Sequence, residues 1–269
     1  MSSLRDRFGR VIEYLRVSVT DRCNLRCRYC MPEEGVTFVP SEEILSYEEI
    51  AEVVRAAARR GVWKVRLTGG EPLVRRDFVT LVAMLAPIPG LRDLAMTTNG
   101  LLLAQFAAKL AEAGLRRVNV SLDTLDAARF REITRGGDLR QVLEGIAAAD
   151  RAGLAPIRLN CVIEEHAGEE DARAVARWGR AKGFEVRFIR RMNLAEGRFL
   201  RVQGGAGGDC ARCNRLRLSA DGFLRPCLFS DLRISVRELG AERALEAAAD
   251  CKPEAGSLNR TSLMHSIGG

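Results

Sequence analysis

The sequence predicts an α/β fold, a parallel sheet curved into an open, incomplete barrel with helices outside. Three observations carry this. Short runs of strand-type alternation recur six times between residues 14 and 189. Helix-type segments stand between them, and strict β/α alternation calls for a parallel sheet. The polar and glycine-bearing motifs fall just past the C-terminal ends of the strands, where a barrel gathers its functional residues. That placement favours a barrel over an open doubly wound sheet.

The elements follow in order. Residues 14–20 alternate polar and apolar and are rich in valine, as a strand requires. Ser46 and Glu49 form a capping-box pattern opening a helix to residue 60, and Gly61 stops it. Strands are expected at 63–68, 93–97, 117–121, 156–163 and 185–189. Helices are expected at 77–85, 102–113, 127–134, 140–152 and 169–182, with Gly114 and Gly153 ending two of them. After residue 189 the character changes. Residues 198–208 read as a glycine-rich loop, 209–231 carry cysteines, one helix is expected at 238–249, and a polar tail ends in Gly268-Gly269.

The chain has 269 residues, 47% of them hydrophobic, enough for a sizeable core. No apolar run reaches the length of a membrane span. The charged first ten residues lack an apolar signal region, so a cytoplasmic protein is expected. Eight cysteines in such a chain are read as metal ligands or reactive thiols before disulfides. The net charge of +7 suits either a solvated basic surface or a pocket for an anionic substrate.

Cys23, Cys27 and Cys30 stand in a loop directly after the first strand, spaced C-x3-C-x2-C. Three thiolates can hold three irons of a cubane and leave the fourth iron open. Structural zinc sites use four ligands, and ordinary ferredoxin runs supply a fourth cysteine. The run Thr68-Gly69-Gly70-Glu71-Pro72 follows the second strand. Its paired glycines allow close backbone approach to a ligand, and Glu71 can accept from an ammonium. The triad, Tyr29 beside its last cysteine and the Gly-Gly-Glu-Pro run resemble the radical S-adenosylmethionine superfamily. The resemblance implies a [4Fe–4S] cluster on the triad and S-adenosylmethionine on its open iron. It further implies that Tyr29, Gly70, Glu71, Ser121 and Met192 contact that cofactor.

A second triad, Cys210, Cys213 and Cys227, encloses Arg215 and Arg217. Its spacing leaves two readings open: a zinc knuckle completed by Cys251 or His265, or a second three-ligand cubane. Around it the chain is similar to the GTP 3′,8-cyclase family of molybdenum cofactor biosynthesis. The matching runs are LRVSVTDRCN at 15–24, KVRLTGGEPL at 64–73, TTNG at 97–100, VNVSLDTL at 118–125, RFI at 187–189, CNRLRL at 213–218 and the terminal Gly268-Gly269.

This second resemblance implies an incomplete (β/α)6 TIM-like barrel over residues 1–192 and a C-terminal Fe–S-binding extension over 193–269. It implies two [4Fe–4S] clusters, the second binding guanine. A 5′-deoxyadenosyl radical takes hydrogen from C3′ of GTP, and the carbon radical attacks C8 to give 3′,8-cyclo-7,8-dihydro-GTP. Residues carried over for GTP are Arg16, Lys64, Arg66, Thr97, Arg158, Arg187, Arg215 and Arg217. Gly268 and Gly269 would enter the barrel mouth as catalytic residues. Implied partners are a flavodoxin or ferredoxin as electron donor, cyclic pyranopterin monophosphate synthase as next enzyme, and a second copy in a homodimer, with no membrane and no nucleic acid. Two alternatives stay open: a related two-cluster enzyme acting on another nucleotide or a peptide, and a noncatalytic iron or zinc regulator. The chain departs from the family at Arg190-Arg191, where an acidic and an apolar residue are usual. It also has only residues 193–209 between Met192 and Cys210, where the family has a longer segment.

Overall fold

The computed structural model describes residues 3–192, 194, 200–205 and 207–260. Six parallel strands run in sequence order: β1 (Tyr14–Ser18), β2 (Lys64–Thr68), β3 (Asp93–Thr98), β4 (Arg117–Ser121), β5 (Arg158–Ile163) and β6 (Glu185–Arg190). Each pairs with the next, and the order never reverses. A doubly wound sheet would reverse at a switch point, so this order is the winding of a barrel wall. Helices α1 (Tyr47–Arg59), α2 (Phe78–Leu85), α3 (Leu103–Glu112), α4 (Ala127–Thr134), α5 (Leu139–Arg151) and α6 (Glu170–Ala181) form the connections.

Alternation along the strands sorts the two faces. Leu15, Val17, Val65, Leu67, Leu94, Met96, Val118 and Val120 join one continuous hydrophobic core. Each such side chain contributes about 2 kcal/mol when fully buried. The neighbouring positions on the other face, including Arg16, Arg66, Thr97, Asn119 and Arg158, are polar. The capping box at α1 is present in full: Ser46 Oγ accepts from the Glu49 amide, and Glu49 accepts from the Ser46 amide.

The C-terminal part differs from expectation in two ways. The cysteine-bearing stretch, for which no strand was expected, joins the sheet. It adds β7 (Arg215–Leu218) in parallel to the outer edge of β1, then β8 (Phe223–Arg225) and β9 (Ile234–Ser235) antiparallel, so nine strands form one sheet. The barrel is left open, since β1 pairs with β7 where a closed barrel would pair it with β6. The single helix expected at 238–249 is two, α7 (Val236–Leu239) and α8 (Ala241–Asp250). Gly240, at φ 75°, breaks the chain between them, in the left-handed region glycine reaches without strain. The apolar face of α8 packs against α1 and ties the extension to the barrel wall.

Candidate active site

The first cysteine loop begins where β1 ends. Cys23, Cys27 and Cys30 are all half-buried and free. A turn brings the amides of Cys30 and Met31 onto the Cys27 carbonyl, at 2.9 and 3.0 Å. Cys23 Sγ accepts from the Leu25 amide at 3.4 Å and from Asn99 Nδ2 at 3.8 Å. Burial pushes the Cys27 and Cys30 thiols up to about 12, reinforced by the neighbouring thiols, and raises Cys23 as well. Such thiols stay protonated until a metal displaces the proton. A cubane fits them, because each thiolate needs only its own iron and the three need not converge on one point.

Gly69 and Gly70 also make a contact within the chain. Their close approach is to the protein's own cysteine loop. A Cβ on Gly69 would lie 2.7 Å from the Thr20 carbonyl oxygen, and one on Gly70 would lie 2.4 Å from that of Arg22. Glu71 is 1% exposed. Its carboxylate accepts from the Leu73 amide at 3.1 Å, Thr98 Oγ1 at 2.8 Å and the Asn99 amide at 2.7 Å. Burial raises it to about 7 against the pull of those bonds. Glu71 thus locks the loop after β2 to the loop after β3, and Asn99 in turn reaches the Cys23 thiol.

Tyr29 donates to Asp123 Oδ2 at 2.9 Å, and Asp123 Oδ1 accepts from the Val162 amide at 2.8 Å. Burial holds this carboxyl at about 6 although both bonds favour its charge. Both residues line a cavity of about 240 Å³. Asp123 had no role assigned from sequence, because a lone aspartate after a strand carries no signal of its own. Ser121, at the end of β4, is half-buried.

A second cavity, about 480 Å³, occupies the barrel interior. Two rungs of side chains cross three strands on its wall: Lys64, Tyr14 and Arg215 on one, Arg66, Arg16 and Arg217 on the next. Arg187 and Met192 join from the far side. The described lining holds eight cations and one carboxylate, Asp209. Like charges side by side destabilise a sheet, and an isolated buried charge costs more still. Among the described residues the buried Nε atoms of Arg66, Arg187 and Arg215 have no hydrogen-bond partner. Burial, then opposed by the charge of Tyr14, brings Arg66 down to about 9. The Tyr14 phenol is lowered to about 7 even though its burial raises it, because Arg66, Arg16, Arg215 and Lys64 surround it. This interior fits a polyanion.

Thr97 and Arg158 are absent from the described lining. Thr97 Oγ1 accepts from Asn119 at 3.4 Å, and Arg158 Nε donates to Glu185 at 2.5 Å. The short glycine-rich linker still reaches the site, with Arg201, Val202, Gly205 and Gly207 lining the cavity. Tyr14 and Arg212, unassigned from sequence, line it too.

Cys210, Cys213 and Cys227 line an adjoining cavity that shares Asp209, Arg212, Asn214, Arg215 and Arg217 with the barrel interior. Burial raises the Cys227 thiol. Cys213 goes the other way: burial pushes it up, but the charges of Lys252 and Arg215 hold it below its ordinary value. Cys251 is exposed, and its neighbour Lys252 lines the cavity instead. His265, Gly268 and Gly269 lie outside the described residues. Among the described residues no three His, Cys, Asp or Glu side chains converge tightly enough for a single metal ion.

Comparison with known proteins agrees with this geometry. Residues 17–179 match the model of the radical SAM superfamily. The GTP 3′,8-cyclase of Pelotomaculum thermopropionicum is 45% identical, covering 91% of each chain. That of Thermodesulfovibrio yellowstonii is 43% identical over 282 aligned positions, covering 88% of each chain. Those positions outnumber the 269 residues here, so the relative carries residues this chain lacks. The GTP 3′,8-cyclase of Listeria monocytogenes is 39% identical over 94% of this chain and 92% of its own. Among solved structures, anSMEcpe with bound AdoMet superposes at TM-score 0.65 with 17% identity, over 90% of this chain and 81% of that one. Streptococcus suis SuiB bound to precursor peptide SuiA superposes at 0.67 with 14% identity, over 91% and 66%, so these two share the fold. The chain belongs to the radical SAM superfamily and, within it, to the GTP 3′,8-cyclase family.

Proposed function

We propose that this enzyme converts GTP to 3′,8-cyclo-7,8-dihydro-GTP in molybdenum cofactor biosynthesis. The observation that carries this reading is the pair of cationic rungs, in a cavity that runs from Met192 to the second cysteine triad. The triphosphate neutralises Lys64, Arg66, Arg187 and Arg215, and charge-assisted hydrogen bonds occupy nitrogens that are otherwise buried without partners. Arg16 and Arg217 hold the nucleoside end beside the second triad. Cys23, Cys27 and Cys30 hold a [4Fe–4S] cluster, and Tyr29, Gly70, Glu71, Ser121 and Met192 form the S-adenosylmethionine site. Cys210, Cys213 and Cys227 hold a second [4Fe–4S] cluster on which the guanine rests.

With a cluster on Cys23, Cys27 and Cys30 and S-adenosylmethionine bound, the site would supply the radical chemistry for taking hydrogen from C3′ and joining that carbon to C8. The chain's own residues bind and orient. The cation rungs fix the nucleotide at the wall formed by β2, β1 and β7, and the barrel interior keeps water from the reacting carbon. Thr97 and Arg158 contribute from the same inner face, Arg158 after release from Glu185, and Gly268 and Gly269 complete the catalytic residues of this reading. No helix among the described residues is long and apolar enough to cross a membrane. A cytoplasmic homodimer served by a flavodoxin or ferredoxin, handing its product to cyclic pyranopterin monophosphate synthase, completes the reading.

The test is anaerobic reconstitution with iron and sulfide, then addition of S-adenosylmethionine, dithionite and GTP. The expected products are 5′-deoxyadenosine and a cyclised nucleotide in matching amounts. Deoxyadenosine with GTP left unchanged would overturn the assignment of substrate.

A further inference from the structure

Lys252 is 2% exposed, and a lysine is almost never buried so deeply without partners. Its ammonium has three N–H bonds to give, and two backbone carbonyls take two of them. It donates to the Arg215 carbonyl at 2.8 Å and to the Pro226 carbonyl at 2.7 Å, and its charge faces the Cys213 sulfur. Arg215 lies two residues after Cys213, and Pro226 immediately precedes Cys227. One ammonium therefore joins both arms of the β7–β8 hairpin at the points where the two cysteines leave it.

The segment carrying Lys252 is anchored in turn. Arg10 donates to the carbonyls of Pro253 at 2.6 Å, Glu254 at 2.9 Å and Cys210 at 2.6 Å. Asp6, buried, holds the Arg10 Nε at 2.5 Å. Each of the three cysteines is thus linked through a cation to residues 252–254. No metal-binding pattern in the sequence includes either cation.

We propose that Lys252 is the positioning residue of the second cysteine site. It sets the separation of Cys213 from Cys227 and places a cation beside the Cys213 sulfur. This rests on the reading that the second triad holds a [4Fe–4S] cluster. A cation beside a ligating sulfur stabilises the more negative, reduced cluster and raises its potential, and partners outside the ligands govern metal retention.

The test uses the full chain with Cys23, Cys27 and Cys30 changed to Ala, so that the second triad alone can carry iron. With Lys252 present, reconstitution should give about four irons per chain. Lys252→Met should lose iron to a chelator about 10–100-fold faster. Its cluster, followed by electron paramagnetic resonance during a redox titration, should reduce at a lower potential. Lys252→Arg keeps the charge and the reach to the carbonyls but not the single-point geometry. It should hold iron better than Lys252→Met and still show a shifted potential. If Lys252→Met does not fold, Lys252→Arg decides the matter. Iron retention and potential equal to those with lysine overturn the role of Lys252. A triad-deleted chain that takes up no iron with Lys252 in place overturns the second cluster itself, which is a different result.

Discussion

Arg16 and Arg217 come from opposite ends of the chain and lie side by side as register partners on the adjacent parallel strands β1 and β7. Arg66 flanks Arg16 on its other side. Three guanidinium groups in one rung store repulsion that a bound polyanion relieves.

Relief of that repulsion separates stability from binding. Arg66→Met removes a buried charge whose Nε has no partner. The ligand-free protein should therefore melt at a higher temperature, by the equivalent of about 0.2–1 kcal/mol. GTP should bind roughly ten- to a hundredfold more weakly, for the loss of a charged hydrogen bond of about 1.5–3 kcal/mol. Calorimetry of both proteins, with and without GTP, checks the opposite signs. A lower melting temperature together with unchanged GTP affinity would refute this account of the cavity.

Asp123 gives a pH signature. Its folded carboxyl sits at about 6, above the ordinary value of 3.8. The stability it contributes is complete below the ordinary value and is lost as pH rises through about 6, a change of about 3 kcal/mol. Asp123→Asn keeps an acceptor for the Val162 amide and places a donor toward Tyr29. The difference between the two stability–pH curves, from denaturant unfolding without metal, should fall across that window and be flat above it. Parallel curves would contradict the buried carboxyl.

Gly70→Ala drives a methyl group into the Arg22 carbonyl oxygen, which is backbone and cannot swing aside. The two loops must part, at a cost of about 1–3 kcal/mol. Reconstituted Gly70→Ala should melt earlier and lose iron from the first triad, while the second triad keeps its iron.

The two triads should also separate in activity. Cys213→Ala should retain cleavage of S-adenosylmethionine without cyclised product. Cys23→Ala should lose both. Equal loss in the two variants would contradict the division of labour.

Much of this was legible in the sequence, for local reasons. The strand and helix periods, the capping box at Ser46 and the C-x3-C-x2-C spacing are set by neighbours a few residues apart. The runs holding Arg16, Lys64, Arg66, Arg215 and Arg217 were recognisable as motifs, and the interior cavity gathers all five. The contacts of Gly69 and Gly70 with Thr20, Asp21 and Arg22 were not legible, because those residues stand some fifty positions earlier in the chain.

The sequence by itself determined the alternation of strands and helices, the two cysteine triads and the stock of cations. Each follows from residue type and short spacing. Only the tertiary structure decided that β7 lies against β1, that Arg217 meets Arg16, that Asp123 holds Tyr29, and that Lys252 and Arg10 hold the second triad. Those contacts join residues far apart in the chain. They follow from strand order and from the burial of charge, which no local pattern encodes.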